Sequence, residues 1–151
     1  ILGAGGAARA VVAALLDDGV QDILIVNRTR ERAEHLASEF AGVCAAIPWD
    51  RKDDALEEAA LLVNTTTLGM TGQADLEISL KRLPTSAIVN DIVYVPLKTP
   101  LLQNAATRGN TTVDGLGMLL HQARPGFAAW FDKQPQVSAG LRDSILADLK
   151  S

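Results

Sequence analysis

Two short groups of residues have the types and spacing to hold phosphate. The first is Gly3-Ala4-Gly5-Gly6-Ala7-Ala8, a G-x-G-x-x-A turn at the head of the chain. In such a turn Gly3 permits the sharp change of direction, Gly5 lets backbone N–H groups approach a pyrophosphate, and Ala8 lets the following helix pack close to a sheet. The second group is Asn27-Arg28-Thr29 with Arg32. Arg28 can offer a planar guanidinium to a phosphate dianion or stack on adenine, Thr29 can donate a hydroxyl, and Arg32 can close the other side. An Asp or Glu here would accept from a ribose 2′-hydroxyl and repel a 2′-phosphate, so its replacement by Arg predicts NADP rather than NAD. Two charge-assisted contacts, discounted for solvent, favour NADP by roughly a hundredfold. The plainer alternative is a solvated, charged helix start.

These groups need elements to position them. Residues 7–18 are helix formers closed by Gly19, and Ile23 to Val26 is an apolar run of strand length. The pattern then predicts a helix over 30–40, a strand over 43–47 before Pro48, a helix over 53–60 and a strand over 61–64. Further strands are predicted over 87–92 and 111–113, with a helix over 100–108 that has Pro near its first turn. Apolar strands separated by helices imply an α/β fold, a doubly wound parallel sheet of Rossmann type with strand order 3-2-1-4-5-6. Ligands then gather at the carboxyl ends of the strands, at residues 3–8, 27–32, 65–70, 91–94 and 114–115. Ile1-Leu2 is too short for the central strand. The expectation is a first strand truncated at its start and an upstream part missing. Residues 1–114 would form the dinucleotide-binding domain and 115–151 C-terminal helices, the first of them lining a cleft.

Composition narrows the function. The 151 residues carry a net charge of −4, which disfavours nucleic acid as a general partner. No apolar run approaches the roughly 20 residues that a membrane span needs. One cysteine, Cys44, with the distant His35 and His121, makes no metal cluster and no intrachain disulfide. A reducing cytoplasm fits this usage.

The same motifs, taken with Val63-Asn64-Thr65-Thr66-Thr67-Leu68-Gly69-Met70, Asp91-Ile92-Val93-Tyr94, Thr99-Pro100-Leu101-Leu102 and Asp114-Gly115-Leu116-Gly117-Met118-Leu119-Leu120-His121-Gln122, resemble shikimate dehydrogenase from residue 1 to about Trp130. The glycine turn and Asn-Arg-Thr are shared with other NADP domains, including glutamyl-tRNA reductase; the Asp114 to Gln122 segment is the more specific. Thr66-Thr67 departs from the Ala-Pro of many members. The resemblance implies NADP as cofactor, with Gly3, Ala4, Gly5, Gly6 and Ala7 on the pyrophosphate. Asn27, Arg28, Thr29 and Arg32 would take the 2′-phosphate end. Ile92 and Gly115 would line the nicotinamide, with Met118 beside them, and Tyr94 and Gln122 would reach the substrate, shikimate or 3-dehydroshikimate. The family's catalytic Lys and Asp lie in a preceding substrate domain, so no catalytic residue is expected here and the chain alone is expected to be inactive. The rivals are a quinate/shikimate dehydrogenase of broader specificity and a non-catalytic NADPH-binding module.

Helix geometry supports part of this. At about 100° per residue Gly115, Met118 and Gln122 share one stripe, whereas Leu116, Leu120, Ala123, Phe127 and Trp130 form an apolar stripe expected to face the core. Gly115 is small enough to admit a cofactor ring, and Gln122 carries both a donor and an acceptor for a polyol. His121 lies off both stripes and reads as a solvated side chain rather than an acid/base. Lys98 has nothing near it in sequence that would lower its pKa, and is not nominated.

Overall fold

The computed structural model describes residues 1–149. Five strands run in parallel: β1 (Ile23–Asn27), β2 (Cys44–Pro48), β3 (Leu61–Asn64), β4 (Ile88–Asp91) and β5 (Thr111–Val113). Helices α1 (Gly6–Asp17), α2 (Arg30–Glu39) and α3 (Pro100–Thr107) alternate with them, and α4 (Leu116–Phe131) and α5 (Ala139–Asp148) follow. β1 pairs with β2, β4 lies between β3 and β5, and Leu2 bridges Val26 on one side and Asn64 on the other. Counting the Leu2 segment as the first strand, the order is the expected 3-2-1-4-5-6. Instead of a full central strand, a two-residue peg joins two half-sheets.

That peg is tightly held. Leu2 donates to the Val63 carbonyl at 2.8 Å, Val26 donates to the Ile1 carbonyl at 2.9 Å, and Thr65 donates to the Leu2 carbonyl at 2.8 Å. The Leu2 side chain is 1% exposed, a burial that contributes about 1.5–3 kcal/mol. The pleat sends alternate residues of β1 to opposite faces. Ile23 and Ile25 pack with Ala8 and Val12 of α1 and with Ala33 and Leu36 of α2. Val26 packs with Leu2, Leu62, Val89 and the α3 residues Leu101, Leu102 and Ala105. Each face of the sheet therefore has its own core.

Two expectations change. The stretch 53–60 is not an α-helix but part of a pair of 3₁₀ turns, Trp49–Arg51 and Asp54–Leu56. The link from β2 must pass β1 and the Leu2 segment to reach β3, about three strand spacings of roughly 4.8 Å. A 3₁₀ turn rises about 2 Å per residue against 1.5 Å for an α-helix and so spans more with the same chain. Leu56 still reaches the core. The second change is in α4. Leu116 is buried, but Ala123, Phe127 and Trp130 are exposed, Trp130 by 80%. The predicted apolar stripe is covered at Leu116 and left exposed at Ala123, Phe127 and Trp130; Phe127 lies against Phe131 of the same helix, ring centroids 4.6 Å apart and planes tilted by 42°.

On the N-terminal side of Leu2, where β1 and β3 are not bridged, lies a cavity of about 500 Å³ lined by Leu15, Val20, Ile23, Leu24 and Leu62 among others. The Ile1 amino group donates to the Leu24 carbonyl at its edge, at 2.7 Å, and burial pulls its pKa down to about 6.

Candidate functional site

The site is built at the carboxyl ends of the strands, opposite the cavity. Gly3 sits at φ +108° and donates to the Val26 carbonyl at 2.8 Å, so the turn begins against the end of β1. A Cβ at Gly3 would lie 2.5 Å from the Thr65 hydroxyl, which itself donates to the Leu2 carbonyl at 2.7 Å. Both the dihedral and the close approach require glycine. Gly5 caps α1 with extended backbone and no side-chain cap, and a Cβ on Gly5 or Gly6 would meet nothing within 4 Å. The amides of Gly6, Ala7 and Ala8 precede the first intrahelical acceptor pair, Arg9 to Gly5. Gly5, Gly6 and Ala7 are exposed, so this end of the helix, with its unsatisfied amides, is open to an anion. Ala8 is fully buried in the α1 face of the core, which is the close packing its small side chain permits.

Asn27, Arg28, Thr29 and Arg32 lie next to this turn because β1 ends where Gly3 bonds to Val26. Asn27 donates to the Thr29 carbonyl at 2.8 Å, which shapes the bend, and Thr29 stands at the N-cap position of α2 with no capping bond from its hydroxyl. Arg28 and Arg32 are exposed and make no ion pair among the described residues, whereas Arg30 pairs with Glu34 and Arg9 with Glu39. The two arginines at the predicted 2′-phosphate position are the ones left uncommitted. No acidic residue ends β1.

At the ends of β3 and β4 a network appears that sequence reading did not assign. Asn64, Asp91 and Thr99 are all fully buried. Asp91 accepts from Asn64 Nδ2 at 3.0 Å, from the Val93 N–H at 3.1 Å and from Thr99 Oγ1 at 2.7 Å. Burial pushes the Asp91 carboxyl above its ordinary pKa, opposed by those three donors. Asn64 also donates to the Leu68 carbonyl at 3.2 Å and accepts from the Thr66 N–H at 3.1 Å and the Thr66 hydroxyl at 2.7 Å. Thr99 doubles as the cap of α3, accepting from the Leu102 N–H at 3.3 Å. The available signal was a polar residue closing each of two strands, Asn64 after the apolar Leu61 to Val63 and Asp91 after Asn90.

Gly115 is buried at the start of α4, and a Cβ there would lie 2.2 Å from the Ile92 carbonyl oxygen and 2.6 Å from that of Val93. The fold thus brings Ile92 and Gly115 together, as the sequence reading requires. Met118 is half-buried on the next turn and Tyr94 half-buried in the loop after β4. Gln122 is exposed, about 10 Å along α4 from Gly115, and no hydrogen bond or ion pair joins it to the others among the described residues. His121 and Lys98 are exposed, and Gln122 and His121 are not separated by burial in this chain. Asp114 accepts from the Leu116 N–H at 3.1 Å and pairs with Arg142 at 2.6 Å, which ties α5 to the head of α4. No group of three or more His, Cys, Asp or Glu that could hold a metal occurs among the described residues. None of their helices is long and apolar enough to cross a membrane.

A doubly wound parallel sheet, with a glycine turn heading its first helix and open amides at the strand ends, defines a dinucleotide-binding domain of Rossmann type. The family model for shikimate / quinate 5-dehydrogenase matches residues 1–96, and the chain belongs to that family. A shikimate dehydrogenase (NADP(+)) of Paramagnetospirillum magneticum is 60% identical over 147 residues, 97% of this chain and 53% of that protein. The chain spans about half the length of the relatives it matches. Among solved structures, quinate dehydrogenase from Corynebacterium glutamicum in complex with NAD superimposes with a TM-score of 0.87 at 30% identity, over 97% of this chain and 53% of that one. Shikimate 5-dehydrogenase from Thermus thermophilus in complex with NADP(H) and shikimate gives 0.76 at 36% identity, over 89% of this chain and 49% of that one.

Proposed function

We propose that this chain is the cofactor-binding portion of an NADP-dependent shikimate dehydrogenase, interconverting 3-dehydroshikimate and shikimate in aromatic amino-acid biosynthesis in a reducing cytoplasm. The observation that carries the reading is the uncommitted pair Arg28, just after β1, and Arg32, in the first turn of α2, beside an exposed glycine turn at the head of α1. When bound, NADP supplies the hydride chemistry. Gly3, Ala4, Gly5, Gly6 and Ala7 hold the pyrophosphate, with Gly3 made necessary by Thr65 behind it. Asn27 shapes the bend that presents Arg28, Thr29 and Arg32 to the 2′-phosphate. Ile92, Gly115 and Met118 form the wall at the nicotinamide end, and Tyr94 and Gln122 reach the substrate. Residues 1–114 form the cofactor domain and 115–151 the helices that face a preceding substrate domain. That domain supplies the proton donor and the substrate clamp, the Lys and Asp of the family, so no residue of this chain transfers the proton.

The solved quinate dehydrogenase with NAD supports a second reading, an enzyme of broader quinate/shikimate specificity. One experiment separates them: on the protein with its preceding domain, measure NADPH and NADH affinity and the turnover of shikimate and quinate, then repeat with Arg28→Ala. We expect NADPH to bind roughly a hundredfold more tightly than NADH, and Arg28→Ala to lose about tenfold or more for NADPH alone. Equal affinity for both cofactors in the unmutated protein sinks the NADP assignment, and faster turnover of quinate than of shikimate favours the second reading.

A further inference from the structure

We propose that Asp91, held between Asn64 and Thr99, is a positioning residue that sets the two loops at the ends of β3 and β4, where the reading above puts the nicotinamide end of the cofactor. One carboxylate governs both loops. Its Oδ1 takes the Val93 N–H and an Asn64 amide hydrogen, and its Oδ2 takes the Thr99 hydroxyl. Through Asn64 the same group reaches the other loop, whose Thr66 N–H and hydroxyl converge on Asn64 Oδ1 and whose Leu68 carbonyl takes the second amide hydrogen. The Thr66 hydroxyl in turn accepts from the Leu68 N–H at 3.1 Å.

The amides of Thr66, Leu68 and Val93 lie beyond the strand ladders and have no strand partner, so side chains must satisfy them. Burying a carboxylate at the end of an apolar strand is costly, and well-packed apolar residues there serve stability at least as well. What an apolar pair cannot do is fix the direction of three loop amides at once. The pinned Val93 N–H has a specific consequence, because the Ile92 and Val93 carbonyls are the atoms against which Gly115 closes. A shift of either loop therefore moves the wall made by Ile92 and Gly115 while leaving Arg28 and Arg32, at the end of β1, untouched.

The test uses the protein with its preceding domain and the variants Asp91→Asn, Thr99→Val and, as conservative control, Thr99→Ser. Amide hydrogen exchange reads the clamp without reference to activity. We expect Asp91→Asn and Thr99→Val to lose at least tenfold protection over 65–70 and 92–98 with β1 and α1 unchanged, and Thr99→Ser to restore it. In turnover, kcat for shikimate oxidation should fall tenfold or more in the first two variants, with the Kd for NADPH within threefold. Unchanged exchange in both loops overturns the proposal, as does protection lost equally across the whole domain, or an NADPH Kd that rises in step with the loss of kcat. An unmutated protein that binds NADPH but does not oxidise shikimate overturns the assigned reaction instead, and the exchange pattern then decides on the clamp.

Discussion

Arg28 and Asp91 both lie at the carboxyl ends of strands of the same sheet, and they stand at opposite ends of what a residue's own type reveals. Arg28 is exposed and unpaired, so its charge acts on whatever approaches, and its place after an apolar strand is enough to read that from sequence. Asp91 is fully buried, and its role depends on Asn64, 27 positions away in sequence, which no local pattern joins to it. The raised pKa of Asp91 makes a signed prediction. The folded state holds the proton at a pH where the unfolded chain has released it, so this group's contribution to stability is complete below the ordinary carboxylate pKa. It is lost as pH rises through the raised value. In the protein with its preceding domain, the stability advantage of the unmutated protein over Asp91→Asn should therefore shrink as pH rises above the ordinary carboxylate pKa of about 4. Urea midpoints taken above that pH measure it, and an advantage that grows with pH contradicts burial as the dominant cause.

At the scale of elements, α4 shows both the reach and the limit of periodicity. Its stripes follow from about 100° per residue, and Gly115 was legible as a small residue at a helix start. Why it must be small appears only with the Ile92 carbonyl 2.2 Å from where a Cβ would stand. Gly115→Ala has to displace backbone, not a flexible side chain, and should cost about 1–3 kcal/mol in stability. It should also reduce kcat for shikimate oxidation, measurable by thermal unfolding and steady-state kinetics on the same preparation. A fully active, equally stable Gly115→Ala would show that the α4 start is free to move. Further along the helix, Gln122→Ala should raise the KM for shikimate tenfold or more and leave NADPH affinity nearly unchanged, whereas His121→Ala should alter neither by more than about twofold. The reverse ranking would mean that the helix presents a different face to the substrate.

For the whole molecule, the cavity between β1 and β3 is decisive. Leu24, Leu61 and Val63 alternate with the residues that bond to β2 and β4, so their N–H groups point into it. Each buried polar group left unpaired costs on the order of 1–3 kcal/mol, against a typical total of about 5–15 kcal/mol. An apolar strand segment of four residues placed ahead of Ile1 should raise thermal stability, and residues 1–151 alone should show no NADP-linked shikimate oxidation. The α-amino group adds a pH signature. Its folded pKa of about 6 lies below the ordinary 8.0. The unfolded chain therefore binds more protons between these values, and the stability of the 151-residue chain should rise by about 2 kcal/mol from pH 6 to 8. The extension replaces the ammonium with an amide and should abolish that slope. Turnover by residues 1–151 comparable to that of the protein with its preceding domain would refute the assignment of proton transfer elsewhere.

The amino-acid sequence alone determined the strand order, the glycine turn and the basic end of β1, because each is written in neighbouring residues: apolar runs of strand length, spacing of small residues, and a charge where an acid would alter cofactor choice. It also placed Ile92 and Gly115 in one neighbourhood, through strand ends that converge in a doubly wound sheet. Tertiary structure decided what depends on partners distant in the chain. The apolar stripe of α4 keeps its helical spacing, yet it is buried at Leu116 and exposed at Ala123, Phe127 and Trp130, since burial needs a second surface and periodicity does not say where that surface ends. The 53–60 stretch has helix-forming residues, but the distance from β2 to β3 selected a more extended turn. The Asn64–Asp91–Thr99 clamp exists only where two strands and a helix cap meet in space, and hydrogen bonds between side chains so far apart in sequence leave no periodic trace.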